Sequence, residues 1–384
     1  MRLPPPKLQP VPPEVVTVGD YEHAAQQRLD DRTWAYLQGG AGDEITLNAN
    51  LAAWRELSLW PRVLRNLVGG HTRITLLGRE MAHPIFLAPV AFQQLAHSDG
   101  ELATVHAAAA QGAGMVVSTQ ASMPLEVLAD AVRADPFRGP LWFQLYLQYD
   151  RDFNLDLIRR AHAAGYEALV VTVDAPSSGV RDRERRSGFK MPPHVHAANL
   201  AGLPHRAAVS LAMGQSPLFD GLLTHAPTWA DIEWLVAASP LPVLLKGILH
   251  PEDALQAVGC GAAGVIVSNH GGRTLDTVVT TAAALPGIAQ AVAGQVPVLV
   301  DGGVRRGTDV LKALALGADA VLIGRPVVHA LATAGAQGVA HVIRLLRDEL
   351  EIAMALTGCA TLADITPDVL FNPSGGPSAT KGMQ

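Results

Sequence analysis

The sequence predicts an α/β chain folded as one closed (β/α)8 barrel, with an N-terminal helical cap and a long fourth βα loop. Three observations predict it. Eight short apolar runs recur from residue 84 onward, at 84–88, 115–118, 141–145, 168–173, 243–246, 264–268, 298–300 and 320–323. Ala-rich segments of helical period lie between them, which is the pattern of strand and crossover helix in a parallel sheet. With one exception, successive runs begin about 20 to 35 residues apart, the length of one βα unit. A doubly wound sheet would show fewer strands and a Gly-rich turn after the first, and residues 89–94 contain no glycine.

Residues 1–16 are rich in proline and are expected to be a flexible tail, lacking the apolar run of a signal peptide or anchor. Residues 17–66 carry helical patterning from Tyr21 to Leu37, then the turn-like GGAGDE, and read as a cap on the barrel. The barrel body is expected to span 17–375. The exception in spacing follows the fourth run, where about 70 residues precede the fifth. This stretch is rich in Pro, Gly and His, as in KMPPHVHAANLAGLPH, and reads as a lid over the site at about 177–228 rather than as another domain. Residues 376–384 are expected to form a C-terminal tail.

Composition narrows the function classes. A formal net charge of −6 gives no basic face for nucleic acid. The two cysteines, Cys260 and Cys359, lie far apart without metal-ligand spacing, so neither a disulfide framework nor a metal site is expected, and a reducing cytoplasm is. No apolar stretch is long enough to span a bilayer as a helix.

Barrel chemistry is built at the carboxyl ends of the strands. In order, these ends carry Ala91; Ser118 and Gln120; Gln144 and Tyr146; Thr172 and Asp174; Lys246; Ser268 and His270; Asp301; Gly324 and Arg325. A polar ending repeated at every strand describes a polar pocket. DGGVRRG after the seventh strand and IGRP after the eighth combine bare backbone amides with Arg305, Arg306 and Arg325, as a phosphate cradle requires. The stretch SNHGGRTLD sets His270, a base near neutral pH, beside Arg273, whose fork matches a carboxylate. Asp174 is placed to orient that imidazole. Lys246 closes the apolar strand LPVLLK and needs a negative partner. A reduced flavin would supply one, and a Schiff-base lysine is the alternative.

With these residues in view, the chain resembles the FMN-dependent 2-hydroxy acid oxidases and dehydrogenases. This family comprises glycolate oxidase, lactate oxidase, mandelate dehydrogenase and the flavin domain of flavocytochrome b2. SNHGGRTLD, LVDGGVRRGTDVLKALALGADAVLIGRP, WFQLY, TVDAP, PVLLKG and APVAFQQLAHSDGE carry the likeness in the family's order across about residues 17–375. The resemblance implies a TIM barrel that binds FMN and oxidises an (S)-2-hydroxy acid to the 2-oxo acid. It implies His270 as base, Asp174 as its partner, Tyr146 on the substrate hydroxyl, and Arg273, Tyr36 and Arg181 on the substrate carboxylate. For FMN it implies Pro89, Val90 and Ala91 against the ring, Ser118, Gln144 and Thr172 on its polar edge, Lys246 near N1, and Ser268. The phosphate would rest on Gly303, Arg305, Gly324 and Arg325, with Asp301 on the ribityl hydroxyls.

The expected electron acceptor is dioxygen, giving hydrogen peroxide. A soluble dehydrogenase passing electrons to a quinone or other carrier is the alternative, followed by another FMN barrel such as a type-2 isopentenyl diphosphate isomerase or a non-catalytic flavin binder. A homotetramer is implied as well. One position departs from the family: Gln120 stands where a tryptophan or tyrosine is common. Loss of that aromatic wall points to a bulkier or more polar substrate than glycolate or lactate.

Overall fold

Each of the eight apolar runs forms a strand within two residues of its expected bounds. The computed structural model describes residues 4–204 and 211–371. Residues 205–210 of the expected lid and the expected tail at 376–384 lie outside the described residues. The cap is built from α1 (Asp20–Gln26), α2 (Asp31–Gln38) and α3 (Ile45–Glu56). The helical stretch expected from Tyr21 to Leu37 is therefore two helices. Asp30 divides them, its side chain accepting from the backbone N–H of Arg32 and Thr33 at the start of α2. Upstream of the cap, Val15 is buried and Val11 packs against the core, so this end of the Pro-rich segment is seated on the barrel.

A short antiparallel hairpin of β1 (Ile74–Leu76) and β2 (Arg79–Met81) precedes the barrel. The barrel follows as β3 (Ile85–Leu87), α4 (Gly100–Gln111), β4 (Gly114–Val117), α5 (Leu125–Val132), β5 (Leu141–Leu145), α6 (Arg151–Ala164) and β6 (Ala168–Thr172). The lid carries α7 (Asp182–Ser187) and leads to α8 (Trp229–Ala238). The rest is β7 (Val243–Ile248), α9 (Pro251–Gly259), β8 (Gly264–Val267), α10 (Thr281–Val292), β9 (Val298–Val300), α11 (Gly307–Ala315), β10 (Ala320–Ile323) and α12 (Arg325–Thr357). All eight barrel strands pair in parallel, and β10 closes the ring by pairing with both β9 and β3. Every loop that leaves a strand therefore opens on the same end of the barrel.

The strands read as unbroken apolar runs because both of their faces are covered. Phe86, Val116, Trp142, Val170, Leu244, Ile266, Leu299 and Leu322 fill the interior, and Leu76 and Met81 of the hairpin join the same cluster. Phe86 and Trp142 pack with ring centroids 4.4 Å apart. Gly114 makes room for them, since a Cβ there would lie 2.2 Å from the Phe86 ring. A second, larger cluster lies between the strands and the outer helices. The last helix is interrupted at Ala334 and Gly335, whose φ/ψ values of −149°/29° and 53°/−139° break the backbone ladder.

The base of the lid is fixed to the cap. The Gly42 N–H donates to Val180 O at 2.7 Å, Arg183 pairs with Glu44, and the rings of Tyr36 and Phe189 stack at 4.6 Å. Among the described residues no helix is long and apolar enough to cross a membrane. Nor, among them, do three or more His, Cys, Asp or Glu side chains form a group that could hold a metal ion.

Candidate active site

A buried polar row runs around the barrel mouth. Gln144 Oε1, at the end of β5, accepts from Ser118 Oγ at 3.2 Å and from the Thr119 N–H at 3.1 Å. Its Nε2 donates to Thr172 Oγ1 at 3.1 Å, tying the ends of β4, β5 and β6 together. Lys246, at the end of β7, donates to Ser268 Oγ at 2.7 Å and pairs with Asp301 Oδ2 at 2.9 Å. Burial works against its charge, but Asp301 and Asp174 outweigh it and hold the Lys246 pKa above the ordinary value. That direction favours the ammonium form, and a protonated amine is no nucleophile for a Schiff base.

His270 lies on the loop after β8 with φ of 56°, held there by its N–H donating to Ser268 Oγ at 3.1 Å. Its Nδ1 is 2.9 Å from Asp174 Oδ1 at the end of β6, and its Nε2 is 3.5 Å from the Tyr146 hydroxyl. Burial would raise the Asp174 pKa, but the hydrogen bond and charge of His270, with Lys246, bring it below the usual carboxylate value. An ionised Asp174 fixes the proton of a neutral imidazole on Nδ1 and leaves Nε2 as a lone-pair acceptor at the cavity wall.

Three buried guanidinium groups surround this base without a carboxylate ion pair among the described residues. Arg273 donates to the carbonyls of Tyr36, Leu37 and Gly39 at 3.0, 3.3 and 2.7 Å. Arg325 donates to Gln38 O, Gly271 O and Gly39 O at 3.1, 2.8 and 3.0 Å. Most of these acceptors are the spare carbonyls at the C-terminal end of α2, where a cation is favoured. The Arg305 guanidinium donates to Val304 O at 2.9 Å. Burial pushes the Arg273 pKa down to about 10 and lowers those of Arg305 and Arg325. Cations without an ion-pair partner among the described residues mark a cavity shaped for anions. The Arg325 fork is turned toward the cap and Gly271, at the first turn of α12.

The cavity measures about 1150 Å³ including its open mouth. It is lined by the residues selected from the sequence except Asp174 and Ser268, which stand behind His270 and Lys246, and Arg306, which is exposed and pairs with Glu349 at 2.7 Å instead of joining the cradle. Tyr36 lies at the rim with its pKa raised by burial against the opposing charges of Arg273 and Arg181. Several residues escaped the sequence reading. Thr119 Oγ1 donates to Gln144 O at 2.6 Å and accepts from the Tyr146 N–H at 3.2 Å. Asn50, on α3, exchanges amide hydrogen bonds of 2.9 Å with Asn269 and so bolts the cap to the catalytic loop. An asparagine inside a helix carries no sequence signal for that contact. Gly303 has φ of 87°, and a Cβ there would lie 2.4 Å from Asn50 O. Gly303→Ala is expected to cost about 1–3 kcal/mol from φ strain alone, before the clash. A lower melting temperature together with a lower cofactor content checks it.

The donor set fits FMN. Asp301 Oδ1 is buried without a partner and can accept from a sugar-alcohol hydroxyl, Gly303 and Arg305 line the cavity, and α12 begins at it. Residues 25–372 match the family described as FMN-dependent dehydrogenase. The chain is 51% identical over 360 residues to an L-lactate oxidase of Roseobacter sp. (strain GAI101), covering 94% of this chain and 96% of that protein. It is 44% identical to glycolate oxidase 1 of Zea mays, covering 92% and 95%. A crystal structure of mandelate oxidase with (S)-2-phenylpropionate superposes with a TM-score of 0.82 at 44% identity, covering 93% of this chain and 98% of that one. A barrel mouth that sets a carboxylate-oriented histidine beside an anion cradle agrees with those likenesses: the chain belongs to the FMN-dependent dehydrogenase family, and its cofactor is FMN.

Proposed function

We propose that this chain oxidises an (S)-2-hydroxy acid to the 2-oxo acid and returns the electrons to dioxygen, giving hydrogen peroxide. The observation that carries this reading is one cavity in which the Asp174-oriented His270 stands with the cations Arg273 and Arg181. The relatives named lactate and glycolate oxidase support it. FMN supplies the acceptor for two electrons at the wall formed by Pro89, Val90 and Ala91.

The protein residues do the rest. Arg273, with Arg181 and the Tyr36 hydroxyl, holds the substrate carboxylate and so fixes which substrate atoms meet His270. His270 Nε2 takes the proton, and Asp174 stabilises the imidazolium that results. Tyr146 donates to the substrate hydroxyl oxygen. Lys246 would present a positive charge to the edge of the cofactor ring, flanked by Ser118, Gln144, Thr172 and Ser268. Gly303, Arg305, Gly324 and Arg325 would hold the phosphate, with Asp301 on the ribityl hydroxyls.

Gln120, Tyr146, Thr172, Arg181 and His270 also border a second cavity of about 2020 Å³ including its mouth, walled by Leu200, Trp229 and Ile232. That space suits a substrate side chain larger than a methyl group. We also propose a cytoplasmic homo-oligomer. Both cysteines are free thiols, and Val63, Leu64, Ile352 and Leu356 are exposed near the contact between the Arg62 N–H and Leu356 O.

Anaerobic mixing of the yellow holoprotein with a panel of (S)-2-hydroxy acids, followed by air, tests the function. Bleaching by acids with side chains of several carbons as well as by lactate is expected, and air should restore the colour with stoichiometric peroxide. A panel that leaves the colour untouched refutes the reading. Bleaching that a quinone reverses but air does not makes the protein a dehydrogenase.

A further inference from the structure

The segment APVAFQQLAHSDGE ends in Glu101, an acid that the proposed chemistry does not use. Glu101 lies in the first turn of α4 and is only 1% exposed. Its Oε1 accepts from two backbone donors, the Gln93 N–H at 3.0 Å and the Ser122 N–H at 2.9 Å. These donors belong to different loops. Gln93 follows β3 just beyond Val90 and Ala91, and Ser122 follows β4 two residues past Gln120.

Other bonds run between the same loops. The Phe92 N–H donates to Gln120 O at 3.1 Å, and the Gln94 N–H donates to Ser122 Oγ at 3.3 Å. Gln93 is gripped again by α4, its Oε1 accepting from Thr104 Oγ1, and its Nε2 reaches Val90 O at 3.5 Å. Phe92 is held at φ of 53°, a left-handed conformation that persists only where surrounding contacts over-determine it. Glu101 Oε2 is buried without a partner. An acid kept in the interior with one oxygen unused is costly, and burial raises its pKa, so its two-loop grip is the feature that accounts for it.

We propose that Glu101 is a positioning residue that locks the Val90/Ala91 wall and the Gln120 wall in one arrangement, and thereby sets substrate discrimination and cofactor fit without touching either molecule. This rests on the placing of FMN against Val90 and Ala91 and of substrate against Gln120.

The test compares Glu101→Gln, Glu101→Ala and Glu101→Asp holoproteins, alone and with Gln120→Ala. Glutamine keeps the double acceptor, so KM, kcat and FMN affinity should stay within about twofold of the parent. Alanine frees both loops, and a wall displaced by a fraction of an ångström should raise KM about tenfold with kcat changed less than about threefold. The kcat/KM ratio between lactate and 2-hydroxyoctanoate should shift about fivefold or more, and FMN should dissociate about tenfold more readily, read by fluorescence. The ratio shift should vanish in the Gln120→Ala background, because the wall being positioned is then gone.

Aspartate, one methylene short of reaching both donors, should fall between glutamine and alanine, and it decides the matter if the alanine variant does not fold. A lower melting temperature with unchanged substrate ratio and unchanged FMN affinity overturns the proposal, as does a glutamine variant as impaired as alanine. Should no 2-hydroxy acid reduce the parent protein, the functional reading fails, while FMN affinity still judges Glu101.

Discussion

Glutamine in place of His270 is expected to leave a folded, yellow protein that 2-hydroxy acids bleach about 10³-fold more slowly than the parent, or worse. The side chain of glutamine can still hydrogen-bond Asp174, which His270 meets at 2.9 Å. It has no lone pair basic enough to take a proton. The carboxylate contacts of Arg273 do not involve His270, so the affinity for substrate should change far less than the rate. Stopped-flow reduction under anaerobic conditions separates the two, since the limiting rate falls while the half-saturating concentration stays nearly constant. Near-parental bleaching would remove His270 as the base.

Arg273→Lys is expected to lower kcat/KM about 10²- to 10³-fold, because lysine supplies neither the bidentate fork for a carboxylate nor the donors that Tyr36, Leu37 and Gly39 now receive. The variant should also acquire a pH dependence that the parent lacks. Burial lowers the Arg273 pKa from 12.5 to about 10, so the parent cation persists through pH 9. The same environment acting on a lysine would place its pKa near about 8. Its positive charge is then full below that value and lost as pH rises through it. KM for the substrate anion should climb above about pH 8 in the variant and stay level in the parent. A variant whose KM is flat to pH 9.5 would show that the buried charge at this position is not what holds the carboxylate.

The legible parts of the fold were those where one physical requirement acts along several consecutive residues. Strands of a closed parallel barrel are covered on both faces, so VLLK, GVIV and AVLI announce themselves, and the residue ending each run falls at the mouth. The hairpin strands of three residues each are too short to display a period. Within the site, His270, Asp174 and Lys246 were readable because an ionisable group ending an apolar run is conspicuous. Thr119, Asn50 and Glu101 were not, because each acts through backbone or amide contacts that exist only once distant segments meet. Arg325 is the instructive case: its position at a strand end was correct, yet its fork turns to Gln38 and Gly39. Position on a strand does not decide which way a long side chain bends when a docked cap offers unsatisfied carbonyls.

Those Arg325 contacts join residues 287 and 286 positions apart in the chain. The cap is synthesised long before the arginine that clasps it. Until then the FMN cradle lacks both its floor after β10 and its closure against α2. The cradle therefore closes only when segments far apart in the chain have met.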